Sequence, residues 1–399
     1  MKILIVSQFY YPEKFTISDI ASTLKSFGHE VSVITGKPNY GYGEIIPSYK
    51  KVKFEKIDGV DVYRVNLYPR KESKLSIYRN YLSFYFNAKR FARHIDIAFD
   101  VVLSVSLSPV ISIAPAIVYA KKHHVPHLLY CLDLWPESTV TTGAVKKDSF
   151  TYKILYKWSH SLYKKCDEII VASPSFKDYF NNVLFLKDQN LKFIPQPALI
   201  PKKCLEPIAF EHKHNVVYAG NIGKIQLVDL LIKSMNLISK DLDIGLHIIG
   251  MGSESEHIKQ LVEELKLAER VHVLGPKPVE EASRYYGNCD ALIVSLKENG
   301  YAGKTIPNKL IQYLHFGKPI IGVISGDGKQ VLINAGGAYI ADSNENSISQ
   351  CIKDVCLLDL SKKKELGELN ARYFESNFDL IKISRQIEKE LSDSLLKKK

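Results

Sequence analysis

Two series of short apolar runs, each alternating with helix-patterned stretches, are separated by FIPQPALIPKKCLEP, which places four prolines between residues 195 and 207. The first series reads KILIVS, HEVSVIT, DVVLSVS (100–106), HLLYCLD (127–133) and EIIVAS (168–173). The second reads NVVYAG (215–220), DIGLHIIG (243–250), RVHVLG (270–275), DALIVSL (290–296) and KPIIGVIS (318–325). Runs this short, apolar throughout and bounded by turn residues, are the pattern of strands buried on both faces, which parallel sheets require. The expected fold is α/β: two successive Rossmann-like units with parallel sheets, residues 1–198 and 205–374, hinged at the prolines and facing each other across a cleft where the active site belongs. A helix over about 375–399 is expected to pack back onto the first unit.

Composition narrows the function classes. The six cysteines are scattered without C-x-x-C spacing, so neither a zinc site nor a disulfide framework is indicated, and a reducing cytoplasmic setting is expected. No apolar run approaches the roughly 18 residues of a membrane span. The net charge of +11 is unevenly placed: residues 1–200 hold 27 Lys+Arg against 17 Asp+Glu (+10), and the rest 27 against 26 (+1). The first half is therefore expected to meet something acidic.

Residues 68–95, YPRKESKLSIYRNYLSFYFNAKRFARHI, contain seven Lys/Arg and seven Phe/Tyr with one acid. At about 100° per residue, Ile77, Tyr81, Phe84, Tyr85, Ala88, Phe91, Ala92 and Ile95 share one face, and Arg79, Lys89, Arg90 and Arg93 the other. Such a helix is either core-packed with a solvated cationic side, or docks on an anionic leaflet. Nucleic acid is not an expected partner, because no RNA- or DNA-binding signature accompanies the aromatics.

Four segments have the composition of ligand sites. In YAGNIGKIQ (218–226), Gly220, Asn221, Gly223 and Lys224 follow a strand and precede a helix, where backbone N–H groups can approach phosphate oxygens; a plain turn is the alternative. In GYAGKTIPNKL (300–310), Lys304, Thr305, Ile306, Pro307, Asn308 and Lys309 lead into a helix, again an anion site. YCLDLWPES (130–138) ends a strand with Asp133, either a ligand-edge acid or a helix cap. TGKPNYGYG (35–43), with Asn39 and Tyr40, is a loop at the same sheet edge.

Taken in order, FYYPE (9–13), GHEVSVITGKPNYGYG (28–43), DLWPES (133–138), YAGNIGKIQ (218–226), GPKP (275–278) and TIPNKLIQYLHFGKPII (305–321) resemble glycosyltransferase family 4, of GT-B fold. The likeness is to the bacterial branch acting in O-antigen, capsule and colanic-acid synthesis, including L-fucosamine transferases. That resemblance implies a retaining transferase taking a sugar from a UDP-sugar bound by the second domain, with Pro276, Lys277 and the two glycine- and lysine-bearing segments at the donor. The acceptor, a saccharide on a membrane-anchored polyprenyl diphosphate, would be held by the first domain, with Asn39, Tyr40, Arg79, Lys89, Arg90 and Arg93 facing the acceptor or the inner face of the cytoplasmic membrane.

The sequence departs from the family pattern where relatives often carry an Arg and a Lys, here Asn221 and Gln226, and two glutamates, here Lys304 and Gln312. Lys224, Lys304 and Lys309 can supply the phosphate charge instead, and Gln312 can still hydrogen-bond a ribose. Glu298 is the nearest upstream acid, either a contact of the donor sugar or a plain loop carboxylate, and Asp133 or Glu137 is the candidate for orienting the acceptor. No D-x-D motif stands at an expected position, so no cofactor and no metal ion are expected. A sugar-nucleotide epimerase of the same fold and a catalytically inactive scaffold in a polysaccharide-synthesis complex remain alternatives.

Overall fold

A computed structural model describes every residue of the chain except 72, 142, 199, 202–204, 299 and 399, so part of the proline-rich linker lies outside the described residues. The chain divides into two compact units, one of residues 1–196 with 380–399 and one of residues 197–379.

The first unit is built on eight strands: β1 (Lys2–Ser7), β2 (Glu30–Gly36), β3 (Phe54–Ile57), β4 (Val60–Val65), β5 (Val101–Ser106), β6 (His127–Cys131), β7 (Glu168–Val171) and β8 (Leu191–Phe193). They lie in the order β3-β4-β2-β1-β5-β6-β7-β8, parallel except for the β3/β4 hairpin. Chain direction across the sheet reverses at β1/β5, the switch point at which ligands of such sheets collect.

Alternation along β1 sets the layers. Ile3 and Ile5 face one core with Ile383, Ile387 and Leu391 of the helix Leu380–Lys398, whereas Leu4 and Val6 face the other with Phe84, Ala88 and Ala92 of the helix Lys74–His94. His29 Nε2 meets Glu388 at 2.7 Å and Arg385 covers the Phe27 ring at 3.6 Å, fixing the terminal helix on the first unit.

The helix Lys74–His94 buries Tyr81, Phe84, Ala88 and Ala92, but also Ser76 and Asn80, which the apolar period does not include. Asn80 is accommodated because its amide is satisfied: Nδ2 donates to Asn39 Oδ1 (3.0 Å) and to the Tyr68 carbonyl (2.7 Å), and Oδ1 accepts from Gln8 Nε2 (2.7 Å). Ile77, Tyr85 and Phe91, expected on the core face, are half-buried.

The second unit has six parallel strands: β9 (His214–Ala219), β10 (Ile244–Ile249), β11 (Val271–Gly275), β12 (Ala291–Ser295), β13 (Ile320–Val323) and β14 (Ala338–Ile340). Their order, β11-β10-β9-β12-β13-β14, is the doubly wound 3-2-1-4-5-6 arrangement. At its switch point β9 and β12 pair only through Val216↔Ala291 and Val217↔Leu292, so the strands part before β9 ends. The stranded backbone of Ala219 is completed from the helix Asn308–His315: its N–H donates to Tyr313 Oη at 2.7 Å, and Tyr313 Oη donates to its carbonyl at 3.1 Å.

Removing this hydroxyl leaves two buried backbone groups without partners, each costing about 1–3 kcal/mol. Tyr313→Phe is therefore expected to lower the free energy of unfolding by about 2 kcal/mol or more in a denaturant titration; an unchanged midpoint and slope would disprove the coupling.

Candidate functional site

Beyond Ala219 the chain turns at Gly220, whose φ of 140° lies where side chains are rarely tolerated. A Cβ there would lie 2.6 Å from Lys309 Nζ, so the missing side chain is the space the lysine occupies. Gly250 lies against the other side, where a Cβ would fall 1.8 Å from the Gly220 carbonyl oxygen. The turn is held from within: Gln226 Oε1 accepts from the Gly223 N–H (3.1 Å) and from Asn221 Nδ2 (3.2 Å), and Tyr218 Oη donates to the Asn221 carbonyl (2.6 Å). Asn221 and Gln226 thus serve each other as a turn staple.

Lys309 enters this turn from the first turn of its helix. Its Nζ donates to Tyr218 Oη at 2.7 Å and lies 3.9 Å from the centre of that ring. Among the described residues no carboxylate pairs with it, and burial alone brings its ammonium down to about 7. A half-buried lysine with an aromatic partner and no carboxylate among the described residues, at the switch point of a doubly wound sheet, carries a charge that an anion would complete.

The other expected donor residues are spread more widely. Pro307 is extended at the N-cap of the helix, Ile306 is buried, Thr305 and Gln312 are half-buried, and Asn308 Nδ2 donates to the Pro197 carbonyl at 3.4 Å. Lys304 and Glu298 are exposed. Lys224 lies on the far side of Gly223 in a hollow of about 140 Å³ that it shares with Asp229 and Glu254, not with Lys309. Lys277 follows β11, two strands from β9, and pairs with Glu281 at 2.6 Å; Pro276 is exposed beside it.

The first unit has a cavity of about 520 Å³ at its own switch point, within the usual range for small-molecule sites. Phe9 and Phe15 stack at 5.2 Å, and Tyr40 meets both edge-on at 5.0 and 5.4 Å. Tyr40 is placed by Glu13, whose Oε1 accepts from the Asn39 N–H (2.7 Å) and the Tyr40 N–H (2.6 Å). Asn39 itself is fully buried, its Oδ1 accepting from the Arg70 N–H at 2.8 Å, so it shapes the loop from inside instead of presenting its side chain to an acceptor.

Asp133 and Trp135 line the opposite flank, where Trp135 Nε1 donates to Ser108 Oγ at 2.8 Å. Burial pushes the Asp133 carboxyl up to about 7, against the pull of the Ser138 hydroxyl and the Leu134 N–H. Glu137 does not line the cavity; it accepts from Tyr152 Oη at 2.7 Å. Arg79, Arg90 and Arg93 are exposed on the helix Lys74–His94, whereas Lys89 is half-buried and donates to Tyr85 Oη at 3.0 Å. Sequence reasoning passed over Tyr218, Tyr313, Arg70 and Tyr81, because aromatics and cations inside apolar patterns read as ordinary core or surface.

Residues 206–372 match the family described as Glycosyl transferases group 1, and residues 15–197 match the Glycosyl transferase 4-like domain. Together they span most of both units, and the chain belongs to the glycosyltransferases of GT-B type. It is 24% identical to the probable glycosyltransferase WbjE of Pseudomonas aeruginosa over 62% of this chain and 63% of that protein, so the likeness leaves more than a third of the relative unmatched. Among solved structures, the sucrose-phosphate synthase of Thermosynechococcus elongatus superposes with a TM-score of 0.74 at 15% identity, covering 98% of this chain and 99% of that one. Anabaena HepE in complex with UDP and glucose gives 0.66 at 13% identity, covering 98% of this chain and all of that one. At these identities the structures testify to the fold.

A carboxyl raised to about 7 in the folded state from its ordinary value near 3.8 costs stability as pH climbs between those values, and the cost persists above pH 7. Asp133→Asn removes it. The variant is expected to be more stable than the parent by about 1–3 kcal/mol at pH 8 and equal to it near pH 4; a destabilised variant at pH 8 would refute the burial.

Proposed function

We propose that the chain is a retaining hexosyltransferase that moves an N-acetylated sugar, with L-fucosamine first among the candidates, from a UDP-sugar to a lipid-linked saccharide in O-antigen or capsule synthesis. The observation that carries this reading is Lys309, an unpaired ammonium under the Gly220 turn at the switch point of the second unit. Family membership supports transfer chemistry, and the HepE complex with UDP and glucose is a precedent for a nucleotide donor on this fold. The named relative, a probable glycosyltransferase, is consistent with it.

Breaking the bond between a sugar and a diphosphate builds negative charge on the departing phosphate. Lys309 and the N–H groups of the Gly220–Gly223 turn would hold that charge where it develops, with Lys304 able to swing in from the surface and no divalent ion required. Retention of configuration follows if the acceptor attacks from the face the diphosphate leaves, with the phosphate oxygen taking the proton. Asp133, half-ionised near pH 7, would orient the acceptor hydroxyl.

Lys309 also makes donor binding pH-dependent. The free ammonium titrates near 7, and a bound diphosphate raises that value, so binding takes up a proton above pH 7. UDP affinity should therefore fall as pH rises from 7 to 9, by up to about tenfold per unit. Calorimetric titration of UDP should show the slope in the parent and a weaker, flat profile in Lys309→Met; identical profiles would sink the assignment.

The membrane-facing part of the reading rests on the first unit. The helix Lys74–His94 exposes Leu75 and Phe86 at 60% and 63%, far more than a solvated helix needs, beside Arg79, Arg90 and Arg93. The helix Phe150–Tyr163 exposes Phe150 at 80%, and Trp158 meets Tyr85 edge-on at 6.3 Å, joining the two helices. Among the described residues no helix is long and apolar enough to cross a membrane. The exposed apolar and cationic side chains of these two helices support a peripheral location, proposed at the inner face of the cytoplasmic membrane. Replacing Arg79, Lys89, Arg90 and Arg93 by Gln should cut flotation with anionic vesicles at least tenfold at physiological salt, each nearby cation being worth about 1 kcal/mol. Equal flotation would return this face to the solvent.

A further inference from the structure

The cavity of the first unit has a cation that the stacking of a neutral sugar does not call for. The Arg70 guanidinium lies between two rings, 5.3 Å from the centre of Tyr40 and 5.4 Å from that of Tyr81, with Nη1 donating to Tyr81 Oη at 2.6 Å. That bond uses one of five donors. Among the described residues no acid pairs with Arg70 or with Lys74, the first residue of the helix Lys74–His94, which lines the same cavity.

The position of Arg70 is over-determined. Its backbone N–H is tied to Asn39, the Tyr40 backbone N–H is held by Glu13, and the Tyr40 ring beneath it packs on Phe9 and Phe15. A guanidinium already immobilised between rings loses little freedom on meeting a ligand, and its planar fork matches the oxygens of a phosphate. The strand order sets the direction of the ligand. Tyr40 and Arg70 follow β2 and β4, whereas Ser108 and Asp133 follow β5 and β6, so cation and carboxyl approach the cavity from opposite flanks of β1. Aromatic rings between them suit the C–H face of a sugar.

We propose that Arg70, assisted by Lys74, binds the phosphate carried by the acceptor saccharide, at a site separate from the donor diphosphate site at Lys309. The sugar ring lies across the aromatic cluster, with a hydroxyl at Asp133 and its anomeric phosphate on Arg70. This rests on the transferase reading above for the word acceptor; the phosphosugar site itself stands on the geometry.

The test uses the full chain saturated with UDP, which blocks the donor site. Calorimetric titration with glucose 1-phosphate and N-acetylglucosamine 1-phosphate is expected to show binding at least tenfold tighter than for the corresponding free sugars. Arg70→Gln should erase that difference, Arg70→Lys should keep part of it, and Lys309→Met should leave it intact, with thermal midpoints recorded to confirm that each variant is folded. Phosphosugar binding that is displaced by UDP, or that survives Arg70→Gln, overturns the proposal.

A second arm uses N-acetylglucosamine joined to farnesyl diphosphate. Loss of its binding in Arg70→Gln identifies the lipid carrier as the source of the phosphate, whereas a lipid form indifferent to Arg70 overturns the acceptor assignment. Arg70-dependent binding in a protein that turns over no UDP-sugar would defeat the transferase reading and leave the phosphosugar site standing.

Discussion

The paired hydrogen bonds between Tyr313 and Ala219 are what the second unit's site depends on. A sheet that opens at its switch point creates a crevice, but it also strands backbone groups that would otherwise belong to a ladder. Here one hydroxyl from the neighbouring helix satisfies both groups and brings that helix against the end of β9. Four residues earlier on the same helix, Lys309 is delivered beneath Gly220. Crevice, turn and cation are thus consequences of one parting of strands.

The first unit solves the same geometric problem with aromatics. Glu13, buried and raised above its ordinary carboxylate value by that burial, spends its acceptor capacity on the Asn39 and Tyr40 N–H groups. Tyr40 in turn fixes Phe9, Phe15 and Arg70 into one cluster. The two units therefore share topology while differing in chemistry: a lysine under a glycine turn in one, and a cation held between rings in the other.

The strand runs were legible because buried parallel strands leave an unbroken apolar signature. The turn after β9 was legible as glycines at a strand end. Less accessible was the part each polar residue plays, since that depends on where long side chains point. Lys224 and Lys309 look alike in sequence, yet one shares a hollow with Asp229 and Glu254 and the other enters the turn. Asn39, expected at the acceptor, is fully buried and braces the loop through Arg70, and Asn80 is hidden on a buried face because its partners lie up to 72 residues away. Arg70 fell within the basic segment but outside its helix, so a face count overlooked it.

The helix Leu380–Lys398 supplies Ile383, Ile387 and Leu391 to the core that backs β1. The sheet they cover is complete by residue 193, but its cover is encoded after the entire second unit. During synthesis that face is covered at first only by Ile17, Ile20, Ala21 and Leu24 of the helix Thr16–Ser26, and its cover is completed when the remainder of the chain has been made. The second unit, contiguous from residue 197 to 379, has no such dependence and can close as soon as its own strands are out. The first unit is thus closed by the last helix of the chain, and its core joins residues as far apart in the chain as Ile3 and Leu391.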